Sequence, residues 1–308
     1  MNKQSHPTNT PATDFPVSDH KKFQVIKLAV DVHADNYVVV RQLDSATPQP
    51  PQRMSPAKFE AFAAKQLELA QEVHCCYEAG PTGYWLHRKL VAMGVRNLVV
   101  RPGRLDAYGR RVNNDNTDAL ALSEKLDRYV AGNPKALALV AVPSEEQELR
   151  RAQSRQRDQF LKLRQQVAAM GRGQMLLVGL CIRGQWWTKS RWAKLEERLP
   201  ADQLALLEPL RQTVMALNEQ LHAAEQSLKE AHGKAPRPKG AGAQTLEQID
   251  REIWDWTRFN NRKQIGSYTG LCGGVSASGQ FHADLPITKA GNGRLRRLLV
   301  EMSQQFSV

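Results

Sequence analysis

Two neighbouring apolar runs near the N-terminus constrain the fold of this chain most. Val25–Val30 and Tyr37–Val40 flank a polar segment at residues 33–36, which is the pattern of two strands joined in a hairpin. Asp31 ends the first run, so its carboxylate is expected at the rim of a sheet, where a central strand leaves the core. An Asp at a strand end is usually a turn former. Asp31 is therefore either a turn residue or the first member of a site.

Short strands and helices alternate after this hairpin. Ser55-Pro56 has the form of an N-cap followed by Pro at the first helical position. The pattern predicts a helix over residues 56–70, a strand over 73–77, a helix over 85–93 and a strand over 95–100. The strand over 73–77 leads directly into Glu78. Such alternation favours an α/β sheet domain.

Two further acids stand at the start of the next predicted helix. Asp115 and Asp118 are three residues apart, so they share one face within a single turn. Acidic residues in a first turn commonly stabilise the helix dipole, which is an adequate structural explanation of the pair. Together with Asp31 and Glu78, however, they make four carboxylates at comparable positions.

Bringing several carboxylates together is costly because like charges raise one another's pKa, and a divalent cation is the usual compensation. Oxygen ligands without a neighbouring Cys or His set favour Mg²⁺ or Mn²⁺ over zinc. Two such ions about 4 Å apart could hold the attacking and leaving oxygens of a phosphodiester. The four acids therefore predict phosphoryl transfer on a nucleic acid.

The chain becomes strongly helical from Ser144 onward. Its second long helix carries apolar residues at the a and d positions of a heptad, Leu207, Leu210, Val214, Leu217, Leu221, Ala224 and Leu228. We predict an antiparallel helical hairpin or a coiled coil between chains, with Trp186, Trp187 and Trp192 packing at its tip. The basic residues of the first helix form either a solvated face or contacts to phosphate. They are Arg150, Arg151, Arg155, Arg157, Lys162 and Arg164.

Composition narrows the class of partner and the setting. The formal net charge is +12 and 41% of the residues are hydrophobic, which predicts a folded, soluble protein that binds a polyanion, with nucleic acid favoured over an anionic membrane. No apolar run is long enough to span a bilayer, and no signal peptide is evident. Four cysteines without a Cys-x-x-Cys pair fit a reducing, cytoplasmic setting.

The chain divides into five predicted segments: a disordered tail over 1–22, an α/β domain over 23–142, helices over 143–231, a basic linker over 232–243 and a small, mostly helical C-terminal domain over 244–308. The last domain contains a Gly- and Ser-rich stretch over 273–279 and a basic helix with its entry loop over 287–301. The basic residues of this loop and helix are Lys289, Arg294, Arg296 and Arg297.

These motifs resemble the IS110 family of transposases, in particular its IS1111-like members, from about residue 25 to residue 302. Tyr77–Tyr84 resembles the family's Tyr-Glu-Ala-Gly-Pro-Thr-Gly-Tyr segment, and Asn113–Ala119 its Lys-Thr-Asp-x-x-Asp-Ala signature. The resemblance implies an RNase H-like (RuvC-like) DEDD domain at the N-terminus. It also implies which residues form the metal-binding tetrad, namely Asp31, Glu78, Asp115 and Asp118.

The C-terminal part resembles the family's second domain through Tyr268–Leu271, Ser278-Gly279 and Ile287–Arg297. The resemblance implies that Ser278, which the residues alone would leave as a loop serine, is the recombinase nucleophile; a serine hydroxyl in that role needs a nearby base or metal. It further implies a homo-oligomer, a dimer or tetramer, in which Mg²⁺ held by one subunit assists the serine of another. The implied partners are double-stranded DNA in the bacterial nucleoid and a structured bridge RNA. The basic helices would bind their backbones by shape, and in the C-terminal domain the predicted contacts are Lys289, Arg294, Arg296 and Arg297.

The sequence departs from the family pattern in ways that keep alternatives open. Asn113-Asn114 replaces Lys-Thr and removes a cation that could meet phosphate, and residues 273–279 replace a Pro-Ser-Glu-x-Ser-Ser-Gly run, which leaves Ser276 as a rival nucleophile. Many members continue beyond the position of Val308, which leaves a shortened and impaired copy as one of these alternatives. The alternatives to a transposase are a RuvC-like metal-dependent nuclease without a covalent step and an inactive nucleic-acid-binding relic.

Overall fold

The computed structural model of this chain describes residues 22–103, 114–278 and 281–305. The chain forms two compact units, one over residues 1–142 and the other over residues 143–308. Among the residues described, no helix has the length and apolarity needed to cross a bilayer. Each unit has a hydrophobic core of its own.

The first unit is built on a five-stranded sheet with the strand order β3-β2-β1-β4-β5. Its strands are β1 (Phe23–Val32), β2 (Tyr37–Leu43), β3 (Gln52–Met54), β4 (Ala70–Glu78) and β5 (Arg96–Val100). β1 pairs antiparallel with β2 and parallel with β4, and β5 pairs parallel with β4. The predicted hairpin and the predicted α/β character of this unit are confirmed.

Three helices cover the sheet: α1 (Pro56–Leu69), α2 (Trp85–Ala92) and α3 (Asp115–Val130). Ser55 caps α1 through its hydroxyl, which accepts a hydrogen bond from the amide of Lys58, as the Ser-Pro motif predicts. Side chains alternate between the faces of a strand. Leu28 of β1 accordingly lies in the core with α1 and α2, while the adjacent Ala29 lies in the core formed with α3.

The second unit is mainly helical. Its elements are α4 (Glu145–Leu177), α5 (Lys189–Glu196), α6 (Ala201–His232), α7 (Ala243–Ile253), α8 (Arg262–Thr269), β6 (Gly273–Ser278), β7 (Phe281–Ile287) and α9 (Gly293–Gln305). Residues of α6 are buried at every seventh position, at Leu207, Val214, Leu221 and Leu228.

Helices α4 and α6 pack together as an antiparallel pair within one chain. Arg164 donates a hydrogen bond to Asn218, whereas Arg157, one heptad earlier on α4, pairs with Glu225, one heptad later on α6. The numbers rise on one helix as they fall on the other, which establishes the antiparallel direction. This agrees with the first of the two helical arrangements that the sequence predicts.

The hairpin of β6 and β7 is a feature that the sequence analysis did not identify. The two strands pair antiparallel, with Ser276 opposite Ala283 and Ser278 opposite Phe281. Glycine is unfavourable in strands, and β6 begins with two glycines, Gly273 and Gly274. The Gly- and Ser-rich stretch therefore gives no strand signal of its own.

The tryptophans pack at the tip of the helical pair, as predicted. Trp186 is fully buried, and its indole N–H donates a hydrogen bond of 3.0 Å to the carbonyl oxygen of Ala168 on α4. Trp187 and Trp192 are buried beside it. The edge-to-face contact between Trp186 and Trp187 has a centroid separation of 6.0 Å. The polar end of the buried indole is thus satisfied, and the rings contribute core rather than an exposed stacking surface.

Two glycines of α4 give a matched test of this packing. A Cβ on Gly171 would lie 2.1 Å from Trp186, whereas a Cβ on Gly173 would have nothing within 4 Å. We expect Gly171→Ala to destabilise the protein by about 1–3 kcal/mol through overpacking. Gly173→Ala should stabilise it by up to about 1 kcal/mol because Ala favours helix. Urea unfolding followed by circular dichroism measures both, and changes of the same sign would contradict this packing.

Candidate functional site

Two of the predicted acids stand at adjacent strand ends of the first unit. β1 and β4 run parallel with Val30 opposite Tyr77, and Asp31 and Glu78 are the next residue of each strand. The residues two positions earlier in both strands lie in the core formed with α3. Since side chains alternate along a strand, Asp31 and Glu78 lie on the face of the sheet that α3 covers.

The N-terminus of α3 brings the other two acids to this face. Asn114 caps the helix in a capping box with Thr117, so Asp115 and Asp118 fall in the first turn. Asparagine and threonine replace the residues of a more usual box but make the same pair of hydrogen bonds. The local sequence thus fixes where α3 starts and which of its residues stand next to the strand ends.

Glu78 is in electrostatic contact with two of the other acids. Burial raises the pKa of Glu78, and the charges of Asp118 and Asp31 raise it further, while Lys125 and a backbone hydrogen bond from Gly103 lower it. Its Oε1 atom is buried without a hydrogen-bond partner among the residues that the structure describes. A buried carboxylate oxygen without a donor is costly, and a cation there would remove this cost.

A histidine also lies among these acids. The Nε2 atom of His33 is 3.1 Å from Oδ2 of Asp31 and 3.7 Å from Oδ1 of Asp115. One ligand atom from each of these three residues lies within 4.8 Å of the others. The guanidinium of Arg53, on β3, is 3.0 Å from the other oxygen of Asp115. Sequence reasoning placed His33 only in a turn and did not single out Arg53.

The four acids are thus connected in two overlapping groups. Glu78 interacts with Asp31 and Asp118, and Asp31 and Asp115 meet at His33. The donor set, mostly carboxylate oxygens with one buried unpartnered oxygen, suits a hard divalent cation such as Mg²⁺ or Mn²⁺. That these residues hold such an ion stays a prediction.

The predicted nucleophile lies in the second unit. Ser278 is the last residue of β6 and stands opposite Phe281, and its rival Ser276 is a half-buried residue of the same strand. Gly279 and Gln280 are outside the described residues, as is the segment over residues 104–113, which includes Asn113. The choice between Ser278 and Ser276 stays a prediction.

Comparison with known proteins relates both units to one family. Residues 237–307 match the family model described as "Transposase IS116/IS110/IS902 family". Over 254 residues, the chain is 34% identical to a presumed transposase of Sinorhizobium fredii, y4qE, a match that covers 79% of this chain and 61% of that protein. The chain belongs to the IS110 family of transposases.

Other relatives extend this result. A second presumed transposase of Sinorhizobium fredii, y4rJ, is 31% identical over 73% of this chain and 63% of its own length. The transposase for insertion sequence element IS1533 of Leptospira borgpetersenii is 26% identical over 78% of this chain and 73% of its own length. This IS110-family chain therefore spans about three-fifths of the length of the first two relatives.

Half of the basic residues predicted to contact nucleic acid have carboxylate partners inside the second unit of this IS110-family chain. The fully buried Glu252 accepts from Arg155 at 2.8 Å and from Arg294 at 3.2 Å. Asp158 contacts Arg294 and Arg297. Arg150 also pairs with Glu247, and Arg157 pairs with Glu225. For the arginines of α4, the sequence predicted either a solvated face or phosphate contacts, and it did not predict these internal ion pairs.

The other basic candidates have different surroundings. Arg164 donates to Asn218, and Arg296 donates to the carbonyl oxygens of Thr269 and Lys289. Lys162 and Lys289 are exposed and Arg151 is half-buried. Nucleic-acid contact by any of the ten stays a prediction. Lys162 and Lys289 meet its first requirement, which is access to solvent.

Proposed function

We propose that this chain is the transposase of an insertion sequence and that it cuts and rejoins double-stranded DNA through a phosphoserine link. Membership of the IS110 family supports the class of reaction. The observation that carries the chemistry is the convergence of Asp31, Glu78, Asp115 and Asp118 at one face of the sheet. Such a carboxylate set is the usual holder of the metal ions that assist phosphoryl transfer.

The proposal includes an RNase H-type, RuvC-like fold for the first unit. The order β3-β2-β1-β4-β5 supports it, with two antiparallel pairs, β3 with β2 and β2 with β1, followed by two parallel pairs, β1 with β4 and β4 with β5. The heptad spacing of buried residues in α6 likewise supports a coiled-coil description of the pair α4 and α6.

The proposed covalent step balances without an added oxidant or cofactor. The Oγ atom of Ser278 attacks a DNA phosphorus, and the bond from that phosphorus to a deoxyribose oxygen breaks. The serine proton passes to a base or water, and the leaving oxygen takes up a proton. A deoxyribose hydroxyl from a second DNA end then attacks the phosphoserine and releases the free serine. Mg²⁺ or Mn²⁺ bound by the four carboxylates would neutralise charge that develops on phosphate oxygens.

The proposed partners follow from charge and from the family. A formal net charge of +12 favours association with a nucleic-acid backbone. We include a structured bridge RNA, recognised through backbone and shape, and a homo-oligomer of two or four subunits. Binding to both RNA and DNA should weaken steeply as salt is raised, which filter binding at several salt concentrations measures.

A covalent adduct tests the nucleophile. The purified chain, incubated with Mg²⁺, guide RNA and DNA carrying the element ends, should form a protein–DNA species that resists denaturing gel electrophoresis. Ser278→Ala should abolish it and Ser276→Ala should leave it. An adduct that survives Ser278→Ala but disappears with Ser276→Ala would move the nucleophile. Cleavage that needs neither serine but needs the carboxylates would instead support the metal-dependent nuclease.

A further inference from the structure

We propose that His33 is a nitrogen ligand of the divalent ion at this site, and that its imidazole makes the site prefer Mn²⁺ over Mg²⁺. The proposal rests on the proposed function only in assuming that the carboxylates bind an ion. It adds the imidazole of His33, two positions after Asp31, to the four carboxylates.

The spacing of the three ligand atoms suits one shared ion. Metal–ligand bonds of about 2.0–2.2 Å place neighbouring ligands roughly 3.0 Å apart in octahedral geometry and roughly 3.5 Å apart in tetrahedral geometry. The observed separations from Nε2 of His33 are 3.1 Å to Asp31 and 3.7 Å to Asp115. Small side-chain rotations would therefore bring all three atoms onto a single ion.

The backbone holds the histidine in this position. The His33 amide donates a hydrogen bond of 3.2 Å to the carbonyl oxygen of Asn36, which closes the turn between the paired residues Val32 and Tyr37. The turn contains residues 33–36, so β1 and β2 fix both of its ends. The ring thus reaches the acids from a short, well-anchored connection.

The site is open to a hydrated ion. His33, Arg53 and Asp115 line a cleft of about 340 Å³, and about half of the His33 side chain is exposed. Arg53 supplies one positive charge to Asp115 at 3.0 Å. A bound divalent cation would neutralise Asp115 in place of Arg53. The guanidinium would then be available to pair with a phosphate in the same cleft.

The chemical preference follows from the ligand type. Mg²⁺ takes oxygen ligands almost exclusively and gives up its waters reluctantly. Imidazole nitrogen suits first-row transition ions better than it suits Mg²⁺. Mn²⁺ is the first-row ion that is most at home among carboxylate oxygens, and it can also accept a nitrogen ligand beside them. A site with His33 and the carboxylates is therefore expected to bind Mn²⁺ more tightly than a site of carboxylates alone, with little change for Mg²⁺.

Binding experiments on the full chain without nucleic acid test this. Bound Mn²⁺ should show electron spin-echo modulation from a directly coordinated ¹⁴N, and both His33→Ala and the polar His33→Gln should remove it. In calorimetric titrations each variant should bind Mn²⁺ about tenfold more weakly and Mg²⁺ less than about threefold more weakly. His222→Ala, at an exposed histidine of α6, is the control and should change neither.

The outcomes separate this inference from the proposed function. Bound Mn²⁺ without nitrogen modulation, but lost in Asp31→Asn, would overturn the role of His33 and leave the carboxylate site standing. Equal weakening of Mn²⁺ and Mg²⁺ in both His33 variants would also overturn it. No binding of either ion to the wild-type chain would overturn both this inference and the metal-dependent part of the proposed function.

Discussion

The Asp31→Asn chain is expected to cleave and join DNA about a thousandfold more slowly than the wild-type chain. The substitution removes one charge from the carboxylate group while keeping the size of the side chain. Loss of a metal-holding carboxylate removes several kcal/mol of charge stabilisation in the transition state, and each 1.36 kcal/mol is about tenfold in rate. The measurement is the rate of Mg²⁺-dependent cleavage of DNA carrying the element ends, with DNA binding followed in parallel.

Glu68→Gln is the matched control because it also neutralises one acid. Glu68 is an exposed residue of α1, the helix on the opposite side of the sheet from α3. Its variant should react within about threefold of wild type, as expected for a surface substitution away from a site. Equal rate losses in the two variants, or full activity of Asp31→Asn, would contradict the assignment of Asp31.

Glu252→Gln is expected to reduce the free energy of unfolding of the second unit by about 3–5 kcal/mol. Glu252 is fully buried, and Arg155, Asn292 and Arg294 donate hydrogen bonds to its carboxylate. Neutralising it leaves two guanidinium groups without their shared counter-charge, which is the costly way to break a buried ion pair. Urea unfolding of the full chain at neutral pH, followed by circular dichroism, measures the change.

A control variant accompanies the prediction for Glu252→Gln. Glu301→Gln alters an acid that is 57% exposed and 3.8 Å from Arg297, so it should cost less than about 1 kcal/mol.

Burial alone would raise the pKa of Glu252, but its hydrogen bonds and the charges of Arg155 and Arg294 lower it overall. Because its pKa is lower in the folded chain, ionised Glu252 contributes stability at pH values above its unfolded pKa of about 4.3. This contribution is lost as the pH falls. The gap between wild type and Glu252→Gln should therefore narrow below about pH 4, and a constant gap would contradict this.

The sequence predicted the parts of the site whose signals are local. Short apolar runs predict β1 and β4, so Asp31 and Glu78 could be placed at strand ends from the sequence. Asp115 and Asp118 follow a capping asparagine, which marks a helix start. His33 was not predicted as a site residue because a single histidine in a turn belongs to no sequence motif. The distance between His33 and Asp115 depends on how α3 packs against the sheet, and local sequence does not predict that packing.

The ion pairs of the second unit escaped prediction for a similar reason. Arg155 and its partner Glu252 are 97 residues apart, and nothing in the spacing of either helix relates them. Helix α4 is rich in arginine, so a solvated face and a phosphate-binding face both explain its composition. The packing of α7 beside α4 supplies Glu247 and Glu252, and α9, which packs against α7, supplies Arg294. The composition of α4 indicated its positive charge, but it did not indicate that carboxylates of the same unit neutralise part of that charge.

The identity of the DNA-linked residue decides whether this chain forms the proposed phosphoserine link. The chain should be trapped during reaction with Mg²⁺, digested with protease and nuclease, and its nucleotide-linked peptides mapped by mass spectrometry. We expect a phosphodiester link on Ser278, formed by wild type and absent from Asp31→Asn and Glu78→Gln. Efficient strand cleavage by the wild-type chain with no nucleotide on any serine would contradict it.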